Sequence, residues 1–205
     1  MNVFSNVIGS FDFTGDCMND AYQFLVQHHL PAVAEHSKRV SQEAERLAKE
    51  CLYPEHKAAI AGILHDISAV FPSAERLSVA QELGIPILDE EIDFPMLLHQ
   101  KISKVIAQDL FQIRDLEILN AIECHTTLRK NPGQLDLILF VADKIKWDQE
   151  GTPPYVEELN RALHDSITSA AYCYIHYLML HKNELKVVHP WLSEAYLDLE
   201  KRVSF

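Results

Sequence analysis

Apolar residues recur along most of this chain at intervals of three and four, the period of helices that bury one face. Behind Pro31, which suits a first helical turn, His36, Val40, Ala44, Leu47 and Cys51 fall at steps of 4, 4, 3 and 4. They form one stripe, and His36 lies on it. Pro54 opens the next helix, whose run from Ala58 to Leu64 is apolar on every face, as in a helix central to a domain. That helix delivers His65 and Asp66 at its end. Further helices are predicted at Asn19 to His28 and, with Ser73 as cap and Gly84 as stop, at Ala74 to Leu83. Others follow at Met96 to Leu110, Asp115 to His125 and Leu135 to Trp147. One long stretch runs from Pro153 and Pro154 through Leu159, Leu163 and Ile167 towards Leu180, with a last helix after Pro190. Residues 1 to 16 read as a poorly patterned extension, and Ile85 to Pro95 as an acidic loop.

Composition sharpens this to an all-α fold, because the chain has 6 Gly and no Asn-Gly or Asp-Gly hairpin signal between alternating runs. At 205 residues and 48% hydrophobic it can bury one continuous core, and no repeat, low-complexity tract or long linker divides it. The domain is expected over residues 17 to 205. A formal charge of −12 argues against a nucleic-acid polymer as partner, since such binding rests on clustered Lys and Arg. An anionic substrate would need a metal to offset this field. The first basic side chain is Lys38, unlike a secretory signal, and no apolar run approaches the roughly 20 residues of a membrane span. A cytoplasmic location is expected. Cys17, Cys51, Cys124 and Cys173 have no CxxC spacing and read as reduced thiols.

Eleven His make an accidental His-Asp dipeptide an ordinary event, and the chain holds two. His164-Asp165 reads as mid-helix on a solvated face, whereas His65-Asp66 ends the most apolar helix and has company in His36, His99, His125 and Asp143. Helices carrying these residues can converge on one point. Imidazole nitrogen and carboxylate oxygen suit divalent Mn, Fe, Co, Ni or Zn, and no Cys belongs to the set, which argues against a thiolate site. Asp143 ends the apolar run Leu137 to Ala142, and a buried carboxylate needs a cation or a full set of donors. An ion pair with Lys144 or Arg39 is the structural alternative, as a hydrogen-bonded core histidine is for His36 alone. The combination favours a metal.

The ordered set His36, His65-Asp66 and Asp143 resembles the HD-domain metal-dependent phosphohydrolases. Leu97-Leu98-His99, His125-Thr126-Thr127, Val141-Ala142-Asp143-Lys144-Ile145 and His189-Pro190 are similar to the YqeK-like branch, over about residues 30 to 195. The resemblance implies a single-domain HD-type helical bundle with one or two metal ions between helices, iron foremost. It further implies symmetrical hydrolysis of diadenosine tetraphosphate to two ADP. By the same carry-over His36, His65, Asp66 and Asp143 hold the first metal, Asp66 bridges to a second, and His99 and His125 ligate that second metal or hold phosphate. Two departures stand out: Ala69 lies where a lysine is usual, and Lys130-Asn131-Pro132-Gly133 replaces a small-residue turn.

A phosphoanhydride is protected by its negative charge, so the expected reaction is attack by a metal-bound hydroxide oriented by Asp66, the catalytic residue. Arg129 and Lys130 are candidate phosphate contacts, Thr126 and Thr127 candidate hydroxyl donors, and Phe71 a candidate stacking partner for adenine. Trp147 is ambiguous between core and cleft. The expected partner is a nucleotide, with no membrane and with homodimerisation left open. The competing readings are an HD-type nucleotidase or nucleoside triphosphate phosphohydrolase, a non-catalytic HD regulatory module, and a helical structural protein with incidental histidines.

Overall fold

The computed structural model describes residues 3–148 and 150–203, and the regular elements among them are all helical. The order is α1 (Ser5–Ile8), α2 (Cys17–Gln27), α3 (Pro31–Glu50), α4 (Glu55–Leu64), α5 (Arg76–Glu82), α6 (Asp89–Asp93) and α7 (His99–Asp109). Then come α8 (Leu116–Cys124), α9 (Gln134–Ile145), α10 (Val156–Asp165), α11 (Ile167–Leu180) and α12 (Pro190–Val203). Short 3₁₀ turns, Ile67–Val70 and Pro95–Leu98, follow α4 and precede α7. Among the described residues no helix is long and apolar enough to cross a membrane.

The sequence pattern locates the centre of the fold. α4 and α9 are apolar around most of their circumference because neighbours cover them on several sides, and α3 lies against both. The closest approach is at Gly62. A Cβ there would stand 2.5 Å from Ser41 Cα and 2.8 Å from Ser41 N, while Ser41 Oγ donates to the Ala59 carbonyl at 2.8 Å. Neither backbone can retreat cheaply, so Gly62→Ala is expected to destabilise the protein by about 1–3 kcal/mol, read from the urea midpoint. An unchanged midpoint would mean that the helices slide apart freely. Residues 3–16 join this core: Phe4 and Val7 are buried, and His28 Nε2 meets the Val7 carbonyl at 2.8 Å.

Three elements differ from expectation, each for a local reason. Ser73 does not cap α5, because the chain first makes a turn in which Glu75 N–H donates to the Pro72 carbonyl at 2.9 Å. The long stretch after Pro154 breaks at Ser166, whose extended backbone (φ −171°, ψ 160°) ends α10 while its hydroxyl accepts the Ser169 N–H and caps α11. The segment Ile85 to Pro95 contains α6, because Glu91 turns inward. Its Oε2 accepts from Lys101 Nζ at 2.7 Å and from the Leu88 N–H at 2.9 Å, and Oε1 faces His189 Nε2 at 3.3 Å. Lys101 also donates to the Pro86 carbonyl and lies 4.9 Å from the Trp191 ring centre. This buried cluster fastens α6 and the start of α12 to α7.

Candidate metal centre

Three histidines are fixed by their own backbone. His65 Nδ1 lies 2.7 Å from the Gly62 carbonyl, His99 Nδ1 2.6 Å from that of Met96, and His125 Nδ1 2.9 Å from that of Ile122. A carbonyl only accepts, so Nδ1 carries the hydrogen in each ring and Nε2 presents its lone pair. All three Nε2 atoms converge on Asp66. His65 Nε2 is 3.4 Å from Asp66 Oδ2, and His99 and His125 Nε2 are each 3.5 Å from Oδ1. From α3 and α9, His36 Nε2 and Asp143 Oδ1 meet at 3.2 Å, with His65 Nε2 3.6 Å from the same oxygen.

The result is two donor groups, His36 with His65 and Asp66, and Asp66 with His99 and His125, each with its ligand atoms within 4.8 Å of one another. Asp66 belongs to both. Asp143 Oδ1 adjoins the first group, while its Oδ2 accepts from Lys144 Nζ at 2.5 Å. The ion-pair alternative for Asp143 therefore holds through Lys144, alongside the donor group and not instead of it.

The residues fit a divalent cation. His65 Nε2 is buried and has no hydrogen-bond partner. His99 and His125 bring their Nε2 atoms to 3.0 Å with both N–H groups turned away, setting lone pair against lone pair; the Thr126 hydroxyl can donate to His99 only, whereas a cation would satisfy both. Nitrogen and oxygen donors without sulfur match the borderline metals. The carboxylates draw positive charge to the site: burial opposes charging of His65, but Asp66 and Asp143 outweigh it and push its pKa up to about 10, so a cation bound at His65 Nε2 would take the place of a proton. Burial would raise both carboxyls, yet His65, His125 and His99 hold Asp66 well below the usual carboxylate range, as Lys144, His36 and His65 do Asp143. Burial, together with His125, drives His99 down to about 3, and burial also lowers His125, leaving these imidazoles neutral as a ligand requires.

The HD domain family matches residues 33–148, the span from α3 to just beyond α9 that carries every one of these donors. The chain belongs to the HD-domain family. It is an HD-domain hydrolase, and HD domains bind divalent metals. An uncharacterised protein of Lactococcus lactis subsp. cremoris, from the pepC 5′ region, is 48% identical over 148 residues, 72% of this chain and 75% of its own. A Bacillus subtilis protein named symmetrical bis(5′-nucleosyl)-tetraphosphatase is 28% identical over 66% of this chain and 71% of its own. Among solved structures, an HD superfamily hydrolase of Clostridium acetobutylicum, described as involved in NAD metabolism, matches with a TM-score of 0.81. It is 28% identical and the match covers 90% of this chain and 97% of that one.

Around the HD dipeptide lie two adjoining cavities. One, of about 240 Å³, is lined by Met96, His99, Thr126, Trp147 and Tyr174 among others, and the second, of about 260 Å³, by Ala32, Val33, Glu35 and Arg39. His36, Asp66 and Asp148 line both, so the cavities meet at the donor groups. Thr126 joins the site directly, its hydroxyl 2.9 Å from His99 Nε2.

Four residues singled out from sequence are placed elsewhere. Phe71 is buried in the apolar core, away from the cleft lining. Thr127 is buried against Gln100, whose Nε2 donates to its hydroxyl at 3.1 Å. Arg129 directs Nε and Nη2 to Asp136 Oδ2 at 2.9 and 2.7 Å, and Lys130 is exposed outside the lining. His125 and Thr126 face the site from the end of α8, and Thr127, Arg129 and Lys130 after them do not. His164 and Asp165 end α10 exposed, beside a separate cavity of about 590 Å³ near Arg46, and belong to neither donor group. Sequence reading missed Met96, Asp148 and Tyr174 in the lining. Tyr174 lies on α11, 31 positions beyond Asp143, with no motif around it.

Proposed function

We propose that this HD domain hydrolyses diadenosine tetraphosphate symmetrically to two ADP, using divalent metal, iron foremost. His36, His65, Asp66 and Asp143 would hold one ion, and Asp66, His99 and His125 a second. The observation that carries this reading is the pair of cavities of nearly equal volume that meet at Asp66. A substrate with two like arms, broken at its middle, suits that arrangement better than a mononucleotide does. The Bacillus subtilis relative's name supports the same reaction.

Held by these residues, a divalent ion would supply a water made nucleophilic at neutral pH and positive charge for the phosphoryl oxygens. Asp66, shared between the groups, orients the attacking water. Thr126 donates its hydroxyl to the phosphate chain, and Trp147 and Tyr174 offer aromatic faces to one adenine. ADP leaves as a stable anion, so no strong acid is required at the leaving oxygen.

Product chromatography after incubation with diadenosine tetraphosphate and Fe(II) or Mn(II) tests the proposal. ADP as sole nucleotide product is expected. AMP plus ATP, or consumption of mononucleotides with the dinucleotide intact, would overturn it and favour the nucleotidase reading.

A further inference from the structure

A polyphosphate brings several negative charges into a chain that already carries −12. Most cations near its path are engaged. Lys144 is held by Asp143, Lys146 by Glu43 at 2.8 Å and Arg129 by Asp136. Ala69, in the turn after Asp66, contributes no charge.

Arg76 differs from these. It begins α5, is only half-buried, and no ion pair joins it to a carboxylate among the described residues. Its Nη1 donates to the Met96 carbonyl at 3.3 Å, and its Nε is buried with no partner. A guanidinium has five N–H donors, so most of its capacity is unused. Its position makes that capacity relevant to the cleft: the same Met96 carbonyl accepts His99 Nδ1 at 2.6 Å, and Met96 lines the cavity on the His99 side. Burial lowers the pKa of Arg76, and the charge that opposes this is Asp66, the carboxylate common to both donor groups. A partly desolvated cation with unmet donors is costly unless an anion meets it.

We propose that Arg76 is a substrate-binding residue, whose guanidinium engages the polyphosphate chain on the His99–His125 side of the cleft. The proposal rests on the preceding reading in taking a nucleoside polyphosphate as ligand, though not on which bond is cleaved. Bidentate contact to phosphate oxygens is what a planar guanidinium provides.

The test is calorimetric binding to metal-loaded protein, with ADP, inorganic tripolyphosphate and adenosine as probes. Arg76→Ala is expected to weaken ADP and tripolyphosphate by about tenfold or more, while adenosine affinity and metal content stay unchanged. Arg76→Lys should recover most of the loss. Arg76→Gln, which can keep the bond to Met96 without the charge, should not. Equal affinities for ADP and tripolyphosphate in wild type and Arg76→Ala would overturn the assignment. So would full recovery in Arg76→Gln, which would make Arg76 a brace for the Met96 turn. If diadenosine tetraphosphate is not cleaved but tripolyphosphate still discriminates the variants, the substrate reading falls and Arg76 stands. Symmetrical cleavage with an unchanged KM in Arg76→Ala gives the converse.

Discussion

Asp66→Ala is expected to abolish metal binding and hydrolysis together, while Asp165→Ala in the second His-Asp dipeptide leaves both unchanged. Asp66 contributes to both donor groups, so its removal leaves the second with two neutral imidazoles and deprives the first of a carboxylate. The second remainder falls below the three protein ligands of a catalytic metal site, and the first keeps His36, His65 and Asp143 but loses the carboxylate that links it to the second. A rate loss of about a thousandfold, or roughly 4 kcal/mol, is expected in metal-supplemented assays. The fold should persist, because His65, His99 and His125 keep their bonds to the Gly62, Met96 and Ile122 carbonyls. Elemental analysis beside product chromatography reads both effects. Equal losses in the Asp66 and Asp165 variants would refute the assignment. Asp143→Asn should spare the His99–His125 group while weakening the other, since the histidines that Asp143 meets are His36 and His65.

Glu91→Gln acts on stability instead. Glu91 and Lys101 are both buried, and removing one charge of such a pair strands the other, at about 3–5 kcal/mol. Burial would raise the Glu91 carboxyl, but His189, Lys101 and the Leu88 N–H outweigh it and hold it below its ordinary 4.5. The folded state therefore binds this proton less readily than the unfolded state. Its contribution is complete above pH 4.5 and is lost as the pH falls through the lowered folded value. Denaturant titrations from pH 7 to 3 should show a smaller acid-induced loss of stability in Glu91→Gln than in the wild type. Parallel curves would show that the pair is not coupled to folding. Glu91→Leu with Lys101→Met should recover much of the stability, because no charge is then left unpaired.

Periodicity reveals a helix whose buried face is continuous, and the site was legible to that extent. His36 stood on the α3 stripe, His65 and Asp66 at the end of the all-apolar α4, and Asp143 at the end of the apolar run in α9. Burial of an acidic run cannot be read this way. Three acids in the first turn of α6 look like a solvated loop until Lys101 and His189, the latter 98 positions away, arrive around Glu91. The break between α10 and α11 was hidden because Leu163 and Ile167 continue the helical spacing across Ser166. Nearness in sequence also misled for substrate contacts. Arg129 follows the His125 segment closely but finds Asp136 seven residues on. Arg76, ten residues after Asp66, instead bonds the Met96 carbonyl that also accepts His99 Nδ1.

The two helices that end in His65 and His125 carry a further consequence. α4 and α8 both point their C-termini at Asp66, and a helix C-terminus bears a partial negative charge of about half a unit. Added to Asp66 and Asp143, these termini form an electrostatic lens that gathers cations and turns phosphate away. A divalent cation held there would offset most of this charge, so the affinity of any polyanionic ligand is expected to rise with metal occupancy.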